Sequence, residues 1–185
     1  MRNIFFVGDS ITLGKADSWY GGWPARVCRE LGDVNACYNL GKLGDACIHL
    51  QNRWKGEVTE RIQPEADHVL VFSFGVAGTL QGVPMDNQLL AARRIIEEAK
   101  QLNFPVAWVG PTCVADEAAT EKLIVLSEHF AELAEILHVP YIPMAPILKD
   151  NPDYQSSLKV SDGIHPQDKG YDIIARRIVE TGILK

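Results

Sequence analysis

Short apolar runs alternate with helix-like patterns along almost all of the 185-residue chain. Five runs have the length and composition of strands: Ile4–Val7, Val34–Tyr38, His68–Phe74, Val106–Val109 and Tyr141–Ile142. Continuous rather than alternating apolar residues are typical of parallel strands, because both faces of such a sheet are covered. The alternation therefore predicts an α/β protein with a five-stranded parallel sheet between helices, a three-layer sandwich.

The helical segments have recognisable boundaries. Helices are predicted over Gly22–Leu31, over 45–62, after a cap at Asp86, after a cap at Asp116, and over 167–181. Aspartate is a favoured N-cap because its carboxylate accepts a hydrogen bond from a free N–H group of the first turn. No repeat, low-complexity tract or Ser/Gly-rich linker interrupts this order. Residues 1–185 are therefore expected to form one domain.

Composition excludes several classes of function. With 46% hydrophobic and 23% charged residues, the chain has the balance of a globular protein. Its net charge is −6 and its basic residues are scattered, so a nucleic-acid partner is not expected. No apolar run approaches the roughly 20 residues of a membrane span. The first strand-like run begins almost at the N-terminus with no signal-peptide pattern before it, which predicts a cytoplasmic protein.

Cysteine and histidine spacing gives no sign of a metal or redox cofactor. The cysteines contain no C-x-x-C pair, which favours buried, reduced thiols, although Cys113 follows a strand and could face an active site. Four histidines lack ligand spacing and are interpreted as structural. The glycine-rich turns lack the phosphate-binding motifs of nucleotide sites, so no cofactor and no metal are expected. These residues are Cys28, Cys37, Cys47 and Cys113, and His49, His68, His129 and His138.

Chemically reactive and flexible residues fall at the predicted carboxyl ends of the strands. Ser10 follows the first strand, Gly41–Asp45 the second and Gly75–Thr79 the third, and Asp162–His165 precedes the last helix. The carboxyl ends of parallel strands lie along one edge of a sheet, where open α/β proteins bind their ligands. The fold is thus expected to bring a serine, two glycine-rich turns and an Asp/His pair together.

These residue types suit nucleophilic catalysis. A serine hydroxyl needs an adjacent base, and His165 lies in a loop at the expected edge. Asp162 can accept a hydrogen bond from the other ring nitrogen and fix the tautomer. Residues Gly8–Thr12 do not follow G-x-S-x-G, which disfavours the α/β-hydrolase nucleophile elbow. Spacing alone leaves open that Asp162 only caps the last helix and that His165 only packs beside Pro166.

Three sequence blocks together resemble the GDSL, or SGNH, family of serine esterases. The blocks are Gly8-Asp9-Ser10, Asn39–Asp45 and Asp162–His165, the last followed by Pro166 and Gly170-Tyr171. The resemblance extends over essentially the whole chain and implies a flavodoxin-like α/β/α fold. It also implies that Ser10 is the nucleophile, with Asp162 and His165 completing a triad. The N–H groups of Ser10 and Gly44 would then hold the oxyanion.

The third block departs from the family pattern. The family has Gly-x-Asn-Asp, with the asparagine amide as a further oxyanion donor, whereas this chain has Ala77 and Gly78 at the last two positions. Loss of one such donor typically lowers turnover by a factor on the order of 10² to 10³. Thr79 or Thr112 could supply a replacement hydroxyl.

The sequence thus predicts an ester hydrolase that acts on small-molecule substrates, short-chain acyl esters or thioesters, through an acyl-enzyme on Ser10. Short acyl groups are expected because the only sizeable insertion is the loop of about 15 residues before Asp162, too little for a lipid tunnel. Trp19, Tyr20 and Trp23 could equally line the substrate site or pack against the first helix. The alternative is a weak or inactive relative that binds a small acid or acylated metabolite. Residues expected to line the substrate site are Asp9, Trp19, Tyr20, Thr79 and Thr112.

Overall fold

The computed structural model describes residues 2–184, and within them five strands form one parallel sheet. The strands are β1 (Arg2–Gly8), β2 (Val34–Gly41), β3 (Asp67–Ser73), β4 (Val106–Val109) and β5 (Tyr141–Ile142). Their order across the sheet is β2-β1-β3-β4-β5, and every neighbouring pair is parallel. The predicted five-stranded parallel sheet is confirmed.

Helices cover both faces of the sheet. They are α1 (Ser10–Leu13), α2 (Gly22–Leu31), α3 (Cys47–Leu50), α4 (Trp54–Thr59), α5 (Val76–Leu80), α6 (Met85–Lys100), α7 (Glu117–Ile136), α8 (Met144–Lys149), α9 (Pro152–Lys159) and α10 (Asp168–Thr181). No helix within residues 2–184 has the length and apolar character needed to cross a membrane.

Two of the helix predictions are wrong in detail. The helix expected over 45–62 is divided into α3 and α4, and the side-chain amides of Gln51 and Asn52 donate to the carbonyl of Ile48 at the break. Such local hydrogen bonds compete with the regular helical pattern. Asp86 does not cap α6, because the cap position is Pro84 and Asp86 lies in the first turn. There its charge still complements the helix N-terminus.

Segments expected to be loops also contain helices. Residues 75–79 are largely helical as α5, and the insertion before Asp162 contains α8 and α9. In contrast, the predicted cap of α7 is confirmed, since the carboxylate of Asp116 accepts from the N–H of Ala119 at 2.7 Å.

The sheet separates two apolar cores. Along β1, Ile4 and Phe6 contribute to one core, and Phe5 and Val7 to the other. Helices α2 and α10 complete the first core, and α4 and α6 complete the second. Because successive side chains of a strand point to opposite faces, a strand buried on both faces is apolar throughout. This burial explains the uninterrupted apolar runs in the sequence.

Three strands end at the same level of the sheet. Gly8 at the end of β1 pairs with Gly41 of β2 and with Ser73 of β3. The chain passes from β1 outward to β2 and then to β3 on the other side of β1, so this level is a topological switch point, where open α/β sheets bind ligands. A β-carbon on Gly41 would lie 2.2 Å from the backbone nitrogen of Leu13, so this close approach of β2 to α1 requires glycine.

Candidate active site

Ser10 is the first residue of α1, directly after the end of β1. Asp9 is the N-cap of this short helix, and its carboxylate accepts from the N–H of Ile11 at 2.9 Å. Gly14, with a φ of +90°, ends the helix. Ser10 is therefore held at the switch point on a fixed turn, with 7% of its surface exposed.

A continuous chain of hydrogen bonds joins Ser10, His165 and Asp162. The Oγ of Ser10 lies 2.8 Å from Nε2 of His165, and Nδ1 of His165 lies 2.7 Å from Oδ2 of Asp162. The structure thus brings together three residues that the sequence separates by up to 155 positions. An imidazole nitrogen at this distance can accept the proton of a serine hydroxyl.

Backbone hydrogen bonds fix the Asp162 carboxylate beside the imidazole. Its Oδ1 accepts from the N–H groups of Ile164 at 3.0 Å and His165 at 2.9 Å. The alternative that Asp162 caps the last helix is excluded, because α10 begins at Asp168 and its cap position is Gln167. Asp162 instead closes a local turn that orients His165.

Electrostatics favour one tautomer of His165. Burial acts to raise the pKa of Asp162, but hydrogen bonds from the His165 backbone, the His165 ring and Ile164 hold the pKa well below its usual range. The ammonium of Lys15 lies 3.3 Å from Oδ2 and adds a positive charge. An ionised carboxylate only accepts hydrogen bonds, so Nδ1 donates to it. In the neutral ring, Nε2 then accepts from the Ser10 hydroxyl.

Gly44 lies in the loop after β2 with a φ of +65°, a conformation that favours glycine. The side-chain amide of Gln81 donates to its carbonyl oxygen at 2.8 Å. Within residues 2–184, the N–H of Gly44 is paired with no protein acceptor. This N–H is therefore available to a substrate oxygen, and Gln81, the residue directly after α5, holds the peptide group between Gly44 and Asp45.

The third block contributes no side-chain donor at Ala77, the position expected from the sequence to correspond to the family's asparagine. Ala77 lies in α5 and is buried. A β-carbon on the adjacent Gly78 would lie 2.5 Å from Oε1 of Gln88, so Gln88 occupies the space beside Gly78. Gln88 is buried, and its Nε2 donates to the carbonyl of Val83 at 3.2 Å. Nothing in the sequence pattern identified Gln88, because only the packing of α6 against α5 reveals it.

Asp9 connects the nucleophile turn to the third block. Burial raises the pKa of this carboxyl to about 6, against the opposing effect of the N–H groups of Ile11, Ala77 and Thr12. Within residues 2–184 its Oδ2 is buried and has no partner with full hydrogen-bond geometry. Asp9 was expected to line the substrate site, but only 2% of its surface is exposed. It is an internal capping residue.

The aromatic residues after Ser10 divide into core and surface. Trp23 is buried and packs edge-on against Phe6, with 5.2 Å between ring centroids. Trp19 is largely exposed and is contacted by two arginine guanidinium groups, both 5.4 Å from its ring centroid. Tyr20 is 88% exposed and borders a cleft of about 690 Å³, whose lining includes none of Ser10, Asp162 and His165.

Neither candidate threonine is joined to the serine or to the glycine donor. Thr112 is buried, and its hydroxyl has no hydrogen-bond partner within residues 2–184. Thr79 lies in α5, where its backbone N–H donates to the carbonyl of Gly75. No hydrogen bond in the described range links either hydroxyl to Ser10 or Gly44.

The cysteines do not form a second reactive centre at this edge. Cys113 is buried, its Sγ accepts from Gln155 at 3.3 Å, and burial raises its pKa to about 12, so a nucleophilic thiolate is disfavoured. The expectation that all four thiols are buried is wrong, because Cys37 is exposed and Cys28 is half-buried. Among residues 2–184, no three His, Cys, Asp or Glu side chains are grouped as metal ligands.

The fold is that of several solved lipolytic proteins and esterases. A lipase/acylhydrolase from Enterococcus faecalis is 20% identical, with a TM-score of 0.80 over 99% of this chain and 96% of that chain. A G-D-S-L lipolytic protein from Veillonella parvula is 18% identical, with a TM-score of 0.77 over 97% of each chain. An acetylxylan esterase from Geobacillus stearothermophilus, solved as a catalytic mutant, is 17% identical, with a TM-score of 0.79 over 97% of this chain and 93% of that chain. A search of curated proteins gives no match.

These similarities show that the chain has the same α/β fold as these solved proteins. The sequence model of the GDSL-like Lipase/Acylhydrolase family matches residues 6–173, which is most of the chain. The chain therefore belongs to the GDSL-like lipase/acylhydrolase family, and the resemblance found in its sequence blocks is confirmed. It is a lipase-like hydrolase of the serine esterase type that acts on ester bonds.

Proposed function

We propose that this hydrolase cleaves short-chain carboxylic esters or thioesters through an acyl-enzyme on Ser10. The proposal depends chiefly on the hydrogen bonds of 2.8 Å and 2.7 Å that connect Ser10, His165 and Asp162. A nucleophile, a base and a group that orients the base are the three parts that such chemistry requires.

In the proposed first step, the Ser10 Oγ attacks the ester carbonyl while Nε2 of His165 takes the hydroxyl proton. Asp162 stabilises the imidazolium that results, and His165 then gives the proton to the departing alcohol or thiol. In the second step, His165 removes a proton from water as the water oxygen attacks the acyl carbon. The bond from that carbon to the Ser10 Oγ then breaks, His165 returns the proton to Oγ, and the acid is released. The N–H groups of Ser10 and Gly44 stabilise the negative oxygen in both steps.

The insertion before Asp162 supports a preference for small acyl groups. Its helices α8 and α9 place Leu148, Tyr154 and Leu158 in the core, so this segment is committed to packing and does not form a lipid-binding lid. An acetyl ester is also the substrate named for the acetylxylan esterase of similar fold. A second candidate function, binding of a small acid or acylated metabolite with weak or no turnover, is favoured only by Ala77.

A labelling experiment separates the two candidates. The wild-type protein, Ser10→Ala and the matched surface control Ser156→Ala are treated with a fluorophosphonate probe and assayed with p-nitrophenyl esters from acetate to laurate. We expect labelling and turnover in the wild type and in Ser156→Ala, and neither in Ser10→Ala, with all three equally folded by circular dichroism.

Most of the wild-type turnover remaining in Ser10→Ala would refute the proposed mechanism. Binding of short-chain acids by a wild type that is neither labelled nor active would favour the second function. Laurate turnover well above that of acetate and butyrate would refute the proposed preference for short acyl groups.

A further inference from the structure

Arg53 connects the ends of β1 and β2 to the loop that carries Gly44. Its Nη2 donates to the carbonyl oxygens of Gly8 at 3.0 Å and Leu40 at 3.1 Å. Its Nε donates to Oδ2 of Asp45, the residue after Gly44, at 2.8 Å. One guanidinium therefore contacts both of the strands whose following turns hold the proposed oxyanion donors.

These bonds lie in a partly water-excluded setting. The Asp45 side chain is 1% exposed and that of Arg53 is 16% exposed. A charge-assisted pair at this depth is strong, and removing one partner leaves an uncompensated buried charge. The planar guanidinium can donate in several fixed directions at once, which a lysine ammonium at a single point cannot reproduce. The remaining Nη1 donates outward to Glu57 at 2.8 Å, away from the proposed donors.

The sheet itself does not fix the donor loop beyond the strand ends. The pairing of β1 with β2 ends at Gly8 and Gly41, and the N–H of Lys42 makes one more bond to Gly8 at 3.1 Å. Gly44 lies beyond these contacts. On the solvent side the loop is held by Gln81, which is itself exposed, so water competes for that bond. Arg53 supplies the buried contact.

We propose that Arg53 is a positioning residue that sets the separation of the Ser10 and Gly44 N–H groups. This inference rests on the proposed function, since it concerns the oxyanion hole of that same site. Oxyanion donors act when they lie about 2.7 to 3.1 Å from the transition-state oxygen, and a misplacement of about 1 Å can cost on the order of 10²-fold in rate. Arg53 contacts no reacting atom, so its effect passes through the two backbone donors.

The test compares Arg53→Lys and Asp45→Asn with the control Glu57→Gln, which removes only the outward contact of Arg53. Arg53→Lys keeps a positive charge beside Asp45, and Asp45→Asn keeps the side-chain shape. Because the two variants change different partners of the same contact, one can still be tested if the other does not fold. With p-nitrophenyl acetate we expect kcat to fall roughly 10- to 100-fold in Arg53→Lys, less in Asp45→Asn, with KM changed by less than about 3-fold. Glu57→Gln should remain near the wild-type rate.

A transition-state analogue distinguishes positioning from general destabilisation. A trifluoromethyl ketone adds to the serine and places a negative oxygen between the donors, so its affinity should fall by the same factor as kcat/KM in each variant. Unchanged kcat in both folded variants would overturn the inference, as would a kcat loss with unchanged affinity for the ketone. If the wild type is not labelled at Ser10, or if Ser10→Ala keeps its turnover, it is instead the proposed function that fails.

Discussion

The two sides of Ser10 are built in different ways. On one side, the side chains of His165 and Asp162 form a complete chain of hydrogen bonds to its hydroxyl. On the other side, the donors proposed for the oxyanion are backbone N–H groups, and Ala77 offers no side-chain donor where the sequence comparison expects the family's asparagine. In the proposed mechanism, proton transfer thus depends on the identity of two side chains, whereas oxyanion binding depends on where the loop of Gly44 is held. Substitutions of His165 or Asp162 should nearly abolish turnover, whereas substitutions on the oxyanion side should raise or lower it by smaller factors.

The largest expected effects are on the side-chain half. His165→Ala should lower kcat by a factor on the order of 10⁶, because it removes the base. Asp162→Asn should lower kcat by about 10⁴, because the carboxylate that fixes the tautomer of His165 is lost. Steady-state kinetics with p-nitrophenyl acetate measure both losses, with Ser156→Ala as the control at the surface. Turnover near the wild-type level in a folded His165→Ala would contradict the assigned base.

The next largest effect is expected from giving the oxyanion side a side-chain donor of its own. Ala77→Asn should raise kcat by a factor on the order of 10² to 10³ with little change in KM, since the new amide bonds mainly to the transition-state oxygen. A side chain at Gly78 would meet Oε1 of Gln88 at 2.5 Å, so Gly78→Asp requires the end of the Gln88 side chain to move. The double variant Ala77→Asn/Gly78→Asp is compared with the same variant carrying Gln88→Ala, and equal kcat and thermal stability in the two would show that Gln88 moves freely.

A threonine variant provides the control for Ala77→Asn. If a hydroxyl already acts as third donor, Ala77→Asn will be neutral and Thr112→Val or Thr79→Val will lower kcat instead. Wild-type rates in all of these variants would show that the oxyanion site lies elsewhere.

A smaller effect concerns Asp9, which lies between the two sides. Its folded-state pKa of about 6 is above the ordinary value of 3.8, so the native state binds this proton more tightly than the unfolded state. The resulting stabilisation is present below about pH 4 and is lost as the pH rises through 6. Asp9→Asn removes this loss, so its free energy of unfolding relative to wild type should increase by roughly 2.4 kcal/mol from pH 4 to pH 8. Urea unfolding at both pH values measures it, and parallel curves for the two proteins would refute burial of an ionisable Asp9.

The smallest effect is expected at the exposed contact of the donor loop. Gln81→Ala removes one hydrogen bond to the carbonyl of Gly44, of about 0.5 to 1.5 kcal/mol, so kcat should fall roughly 2- to 10-fold. A loss as large as that predicted for Arg53→Lys would show that the solvent-side contact, and not the buried one, positions the loop.

The sheet and the candidate triad were accessible to sequence reasoning for the same physical reason. A strand covered on both faces must be apolar throughout, which makes it recognisable in the sequence. Ser10 directly follows such a strand, β1, and His165 shortly precedes the last helix, α10. Short helices were less predictable, as at α3 and α4, where side-chain amides of Gln51 and Asn52 decide the break.

Neither Arg53 nor Gln88 could be predicted from the sequence. The strand-end partners of Arg53 are carbonyl oxygens, which every residue possesses, and only the pairing of β1 with β2 brings them together. The side chain of Gln88 likewise lies beside Gly78 because of where α6 packs, and no local sequence pattern indicates this contact.

The separation of Ser10 from His165 by 155 positions also has a consequence for biosynthesis. At typical translation rates of about 5 to 20 residues per second, the serine is made roughly 8 to 30 seconds before the histidine. A nascent chain therefore contains the serine without its hydrogen-bonded partner. In the folded chain, α10 follows His165 and packs beside α2, and the hydroxyl of Tyr171 donates to the carbonyl of Lys15 at 2.7 Å. If the proposed mechanism holds, a ribosome-stalled chain that ends before His165 should be inert in ester hydrolysis.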